Sequence, residues 1–378
     1  MQRSALLVSA GIVAALVFAC TPPPPVAPPA PPPLAMAGAG LTCNGGNPTT
    51  FLNKVNFFAD ANFQPGRGIQ QPTPLSSPPP NAATYLQGLQ NAFCAAPPDF
   101  QTALSSLDAV WINTAPCASG NQCFTESWGW WRRLLGPPPF SYQRIVGLSA
   151  SLWSTTYSGY ETQLTQTILQ QSGITYSQVQ PVDDLPTALL AALAHEVGHI
   201  RWFEWGVNSN PLNYCAVGNW NFFGGWSPST VFQPPGNSTN GYWRDLLTPN
   251  GRAHVRNPVT RKYPYKHSSP PQMDDIDAQP DGSPVQEQLI YQLLVPPPPI
   301  PAWWASLFAA MSPDEDFIET YKFKVLTDGS GGSPLTSATI TVPRGTSGGS
   351  GGTANIIVDY HNGARADLTA KVGCITSY

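Results

Sequence analysis

The sequence predicts an α+β domain, in which two well-defined helices and several strands alternate with irregular chain. A long helix is predicted from about Pro186 to Trp205 and a second from Pro313 to about Lys324, each with a proline in its first turn. A weaker helical pattern covers Glu161 to Gln171. Residues that favour extended chain predict strands at Tyr142 to Leu148, Ser149 to Trp153, Ala338 to Pro343 and Asn355 to Asp359.

Composition shows that the chain can fold but is unusual for a soluble domain. Of its 378 residues, 42% are hydrophobic and 12 are tryptophan, which is enough for a substantial core. Charged residues make up only 11%, against about a quarter in ordinary soluble domains. The net charge of −4 offers no basic surface, so nucleic acid is not a predicted partner.

The first twenty residues have the pattern of an export signal. Arg3 supplies a positive charge, and Ala5 to Ala19 form an apolar stretch that is short for a membrane span. The run Val17 to Cys20 resembles a bacterial lipoprotein box, which implies lipidation of Cys20 and a membrane anchor. Ordinary cleavage, which would give a secreted protein, is the alternative. Either reading predicts a protein exported from a bacterial cell, to the periplasm, the cell surface or the medium.

Domain boundaries follow from composition. Residues 21–40 are almost entirely Pro and Ala and predict an extended linker after the signal at 1–20. The folded domain is therefore predicted at 41–378, with a long irregular insertion rich in Pro and Trp at about 207–301. Six cysteines remain besides Cys20, an even number that predicts up to three disulfides in an exported chain: Cys43, Cys94, Cys117, Cys123, Cys215 and Cys374.

The long helix carries the motif His195-Glu196-Val197-Gly198-His199. Histidines four residues apart lie on one face of a helix, so both imidazoles can bind one tetrahedral ion. Glu196 lies at the edge of that face, where it can act as a general base toward water that the metal makes acidic. The motif therefore predicts a zinc site with His195 and His199 as ligands, whereas a pair of core histidines is the structural alternative.

A catalytic zinc site needs a third protein ligand and an open position. The metzincin pattern would require Gly at 202 and His at 205, where the chain has Trp202 and Trp205, so that class is excluded. An acidic segment at the start of the second helix carries Glu315 and Glu319 four residues apart. One of them can bind zinc while the other accepts a hydrogen bond from a ligand histidine.

The residues alone leave the third ligand open. Ser312 and Glu315 also form a capping box, and in that case Glu319 would be the ligand. His254 or His267, within the insertion, are further candidates. The group that would stabilise an oxyanion is also open: Tyr321 is one candidate among several, the others being Tyr263, Tyr265, His254 and His267.

The HExxH motif followed by Glu315-Asp316-Phe317-Ile318-Glu319 resembles the gluzincin group of zinc peptidases. It is similar to bacterial families that carry Glu-Asp-Phe-Ala-Glu and, more distantly, to the lethal-factor type. The resemblance implies that Glu315 is the third ligand and Glu319 its supporting residue. It also implies a zincin-like fold, with the motif helix beneath a small sheet and the cleft between them. The chain departs from the group in the 115 residues between His199 and Glu315, and in Ile318, where a small residue is usual.

The expected function is therefore that of an exported zinc peptidase or related amide hydrolase, with Zn²⁺ as cofactor and a protein or peptide as substrate. The alternative is a non-catalytic surface lipoprotein that binds a protein or a cell-wall polymer, with zinc structural or absent. The two differ in the zinc site, because a structural site is closed by four protein ligands and a catalytic site keeps one position open.

Overall fold

The structure is a computed structural model that mixes helices and sheets. It describes residues 43, 46–61, 72–115, 128–133, 142–169, 173–208, 283–294, 306, 309, 313–328, 334–344, 352–359, 372 and 375. All of these belong to one compact unit, Pro33–Tyr378.

Seven helices are found among the described residues. They are α1 Pro48–Leu52, α2 Ala82–Ala95, α3 Pro98–Ser105, α4 Tyr157–Leu169, α5 Leu185–Asn208, α6 Pro284–Leu294 and α7 Pro313–Asp328. A short 3₁₀ helix, Ala150–Ser154, precedes α4. The long helix α5 carries the motif histidines, and α7 carries the acidic segment.

The described strands form two separate sheets. They are β1 Val55–Phe58, β2 Ala109–Asn113, β3 Trp128–Arg133, β4 Tyr142–Ser149, β5 Thr175–Gln180, β6 Ser337–Arg344 and β7 Gly352–Asp359. The first sheet has the order β1-β2-β4-β3, with β1, β2 and β4 parallel and β3 antiparallel to β4 at the edge. The second sheet has the order β5-β6-β7 and is antiparallel.

Helix α5 lies at the centre of the described core. Its residues from Ala188 to Val197 are all buried, and those from Ala188 to Ala194 are apolar on every side of the helix. It contacts β3 and β4 of the first sheet and the helices α2, α4 and α7. The motif is thus held on a helix that is packed from several directions.

An aspartate caps the beginning of α5. The Asp184 carboxylate accepts a hydrogen bond from the Thr187 backbone N–H at 2.9 Å, as an N-cap residue does. The neighbouring Asp183 instead accepts hydrogen bonds from the backbone N–H and the hydroxyl of Ser158 at 2.8 and 2.5 Å. The two neighbouring acids therefore cap α5 and tie its start to α4.

Several predicted elements are found with different bounds. The predicted helices at 161–171, 186–205 and 313–324 correspond to α4, α5 and α7, and the predicted strands at 338–343 and 355–359 correspond to β6 and β7. The strand predicted at 149–153 is wrong, because Ala150–Ser154 turns into a 3₁₀ helix. The Ser149 hydroxyl accepts a hydrogen bond from the Ser151 N–H and so ends the strand there.

Part of the predicted organisation lies outside the described residues. This holds for the signal and linker at 1–40, for Cys20, and for 209–282 and 295–301 of the predicted insertion. Within the insertion, α6 is regular helix and differs from the irregular chain expected there. No helix among the described residues combines the length and the apolar character needed to cross a membrane.

A disulfide joins the start of the described chain to α2. Cys43 and Cys94 are bonded, with their Cα atoms 4.8 Å apart and a sequence separation of 51. The Phe51 and Phe93 rings stack beside this link, with centroids 5.5 Å apart. The other four cysteines of the predicted set lie outside the described residues.

Replacing both Cys43 and Cys94 by Ala is expected to lower the free energy of unfolding by about 4 kcal/mol. A cross-link over a loop of this length removes that much chain entropy from the unfolded state. Chemical denaturation of the wild type and the double variant, without reductant, measures the difference. Equal stability of the two proteins would show that this disulfide does not constrain the chain.

Candidate metal centre

The helical spacing of the motif brings two imidazoles together, as predicted. The rings of His195 and His199 have centroids 5.0 Å apart and are inclined by 80° to each other. His195 is 6% exposed, whereas His199 is only partly buried. His195 therefore lies within the core, and His199 lies at its edge.

Glu315 on α7 faces both histidines. One carboxylate oxygen lies 3.9 Å from His195 Nε2, and the other lies 3.9 Å from His199 Nε2. Glu315 is itself buried, at 4% exposure. Of the predicted third ligands, Glu315 is thus the one that lies within 3.9 Å of both Nε2 atoms. The candidates His254 and His267, and the capping partner Ser312, lie outside the described residues.

The donor set fits a zinc ion. One ligand atom from each of His195, His199 and Glu315 lies within 4.8 Å of the others. In a tetrahedral site with bonds of about 2.0–2.1 Å, ligand atoms are roughly 3.4 Å apart. The distances between these three ligand atoms would therefore need to shorten by roughly 0.5–1.5 Å for zinc to bind. Two imidazole nitrogens and one carboxylate oxygen are ligands that zinc takes in hydrolytic sites. Three protein ligands would leave the fourth position of a tetrahedral ion open.

Glu319 contacts His195 on the side away from Glu315. Its Oε1 lies 2.7 Å from His195 Nδ1, so the imidazole donates Nδ1–H to the carboxylate and keeps the Nε2 lone pair for a metal. Its Oε2 accepts from the Ser306 hydroxyl at 2.5 Å and from Lys322 Nζ at 2.7 Å. Both oxygens are thus occupied by donors, which agrees with a supporting role for Glu319.

Lys322 lies behind Glu319 and is almost completely buried. Its ammonium donates to Glu161 Oε1 on α4 at 2.8 Å and pairs with Glu319. Burial favours a higher pKa for Glu319, but the Lys322 ammonium and the hydrogen bond from His195 outweigh it and lower this pKa to about 2. Burial favours a lower pKa for Lys322, but the Glu161 and Glu319 carboxylates outweigh it and raise this pKa.

The buried charges around the site are unbalanced. Among the described residues, four carboxyl groups are buried against a single buried ammonium, that of Lys322. The four carboxyl groups belong to Glu161, Glu196, Glu315 and Glu319. Buried carboxylates are costly unless they are paired or bind a metal, so a dication between Glu315 and the histidines would offset part of this excess.

Gly198, inside the motif, sets how closely α5 and α7 approach. A Cβ atom at this position would lie 3.1 Å from Ile318 Cγ2 and 3.3 Å from Ile318 Cα. Ile318 is fully buried and fills the space that the glycine leaves. The bulky residue by which this chain departs from the gluzincin pattern is therefore accommodated by Gly198, and the close helix contact brings Glu315 and Glu319 to the histidines.

The remaining predicted site residues within the described chain, Glu196 and Tyr321, are both buried. Glu196 is buried at 4% exposure and adjoins His195 in α5. Tyr321 is fully buried, and its ring lies against Phe100 and Phe317, with centroids 6.1 and 6.2 Å away. This surrounding is typical of a core tyrosine, so the structure gives no support to Tyr321 as an oxyanion stabiliser. Its alternatives at positions 254, 263, 265 and 267 lie outside the described residues.

Sequence reasoning missed three residues of the site: Glu161, Ser306 and Lys322. Glu319 and Lys322 are three positions apart in α7, and this spacing is the one local signal for the ion pair between them. No local pattern links Glu161 or Ser306 to α7, because these contacts depend on tertiary packing.

Comparison with known proteins identifies no relative of this chain. The sequence matches no protein-family model, no curated protein and no solved structure. The functional assignment therefore depends on the geometry of the site.

Proposed function

We propose that the protein is a zinc-dependent peptidase, with His195, His199 and Glu315 as the metal ligands and a zincin-like arrangement of the motif helix and sheet. The observation that carries the proposal is the convergence of both Nε2 atoms on the Glu315 carboxylate, 3.9 Å from each. Glu319 supports it, because a carboxylate on Nδ1 is the usual partner of a zinc-binding imidazole.

The chemistry requires a base beside the metal. His195, His199 and Glu315 would hold the zinc, which would supply Lewis acidity to polarise a carbonyl and to make water acidic enough to ionise near neutral pH. Glu196 takes the proton from the attacking water as its oxygen bonds to the scissile carbonyl carbon. The same carboxyl then gives the proton to the amide nitrogen as the C–N bond breaks. Glu196 ends the cycle deprotonated.

The position of β3 supports a peptide as the substrate. Among the described residues, β3 is one of the two edge strands of the four-stranded sheet, and it contacts α5, the helix that carries the motif. An edge strand presents backbone donors and acceptors that pair with extended peptide chain. A peptide bound along this edge would run beside the motif helix.

Removal of zinc is expected to abolish hydrolysis reversibly. The purified protein is incubated with a mixture of unstructured peptides, and products are identified by mass spectrometry before and after treatment with 1,10-phenanthroline. Readdition of about one equivalent of Zn²⁺ should restore cleavage and also raise the melting temperature, since a ligand of the folded state stabilises it. Zinc binding without cleavage of any peptide would instead favour the structural-zinc alternative.

A further inference from the structure

A buried lysine behind the candidate metal centre has no part in the mechanism above. Lys322 is 3% exposed, and its ammonium lies 2.8 Å from Glu161 Oε1 and 2.7 Å from Glu319 Oε2. The ring of Tyr160, next to Glu161 on α4, has its centroid 5.9 Å from the same ammonium. Two carboxylates and one ammonium thus connect α4 to α7 inside the protein.

Stability alone is a poor explanation for this arrangement. Taking an ammonium and two carboxylates out of water is costly, and apolar residues of similar volume often replace buried ion pairs without loss. One member of these ion pairs, however, also contacts a proposed metal ligand. Glu319 Oε1 accepts the Nδ1 hydrogen of His195 at 2.7 Å. A continuous chain of contacts therefore runs from Glu161 through Lys322 and Glu319 to a metal ligand.

We propose that Lys322, held in place by Glu161, is a positioning residue of the metal centre. The inference rests on the proposed function, because it concerns how His195 binds zinc. Lys322 and the Ser306 hydroxyl both hold Glu319 Oε2, at 2.7 and 2.5 Å. With that oxygen fixed by two donors, Oε1 stays directed at His195 Nδ1, and His195 Nε2 stays directed toward Glu315.

Positioning and simple electrostatics predict opposite results for Lys322→Met. Removal of a positive charge near the site would, by charge alone, strengthen the binding of a dication. Loss of a group that orients a ligand weakens binding, typically by about 10- to 100-fold. We expect the zinc dissociation constant of Lys322→Met to rise by about 10- to 100-fold. Competition between the protein and a chromophoric chelator, with Zn²⁺ as the probe, measures it.

A second variant separates this effect from the burial of uncompensated charge. Lys322→Met leaves two buried carboxylates without their ammonium, whereas Glu161→Gln with Lys322→Met removes one charge of each sign. Both variants should bind zinc more weakly. Lys324→Met is the matched control, because Lys324 is on the same helix and pairs with Asp328 near the surface. Its zinc affinity should stay within about twofold of the wild type, since exposed ion pairs contribute little.

The absorption spectrum of the Co²⁺-loaded protein and the melting temperature of the metal-free protein complete the test. The proposal predicts an altered Co²⁺ spectrum in both Lys322 variants and an unchanged one in the control. Folded variants that bind zinc as tightly as the wild type would overturn it. Loss of folding in both would also overturn it, since the pair would then be required for the fold itself. Absence of zinc binding in the wild type would instead reject the proposed function.

Discussion

Glu196→Gln is expected to bind zinc like the wild type and to lose peptide hydrolysis. Glu196 is buried beside His195, and it is the one acidic residue of the motif itself. An amide of the same shape preserves packing but cannot accept the proton of water. General acid–base groups contribute about 100- to 10,000-fold to such reactions, and the cleavage rate should fall by that factor.

Zinc content and cleavage rate, measured on the same preparation, check this prediction. Glu287→Gln on α6 is a suitable control, because it makes the same chemical change at a half-buried glutamate outside the proposed site. The control should keep both zinc and activity. Full activity of Glu196→Gln would exclude Glu196 as the base, and loss of its zinc would assign it a structural role instead.

Glu315→Gln is expected to abolish tight zinc binding. Its carboxylate lies 3.9 Å from the Nε2 atoms of both histidines, so it is the residue that connects them. Loss of a supporting group costs about 10- to 100-fold in metal affinity, and loss of a direct ligand should cost more than about 100-fold. Chelator competition measures the change, and hydrolysis should disappear with the metal.

Glu315 lies in the first turn of α7, where its negative charge also interacts favourably with the helix dipole and stabilises the helix. Asp99→Asn controls for that effect, because Asp99 is an exposed acid in the first turn of α3. The control should bind zinc normally. If Glu315→Gln kept wild-type affinity while Glu319→Gln lost it, the alternative assignment of the third ligand to Glu319 would be correct.

The centre of the site could be predicted because its geometry is local. Residues four apart on a helix share a face whatever surrounds them, so His195 and His199 had to converge, and Glu315 and Glu319 had to lie together on α7. The way in which α5 and α7 approach each other could not be predicted from local spacing. It depends on the contact between Gly198 and Ile318, and the sequence marked Ile318 only as a departure from the gluzincin pattern.

The fold was less predictable where elements are short and depend on partners. The elements from α1 to β2 could not be assigned, because β1 and β2 have only four and five residues and gain their order from pairing with each other and with β4. The buried ion pairs of Lys322 were missed for the same reason. Glu161 is 161 positions away in sequence, and only tertiary packing brings the two together.

X-ray absorption at the zinc K-edge of the zinc-loaded protein tests the central claim most directly. Stoichiometric zinc should show four light ligands at about 2.0–2.1 Å, with the multiple scattering of two imidazoles. That result would agree with His195, His199, Glu315 and one further position as the coordination sphere. A protein that binds no stoichiometric zinc, or zinc with sulfur ligands at about 2.3 Å, would contradict the account.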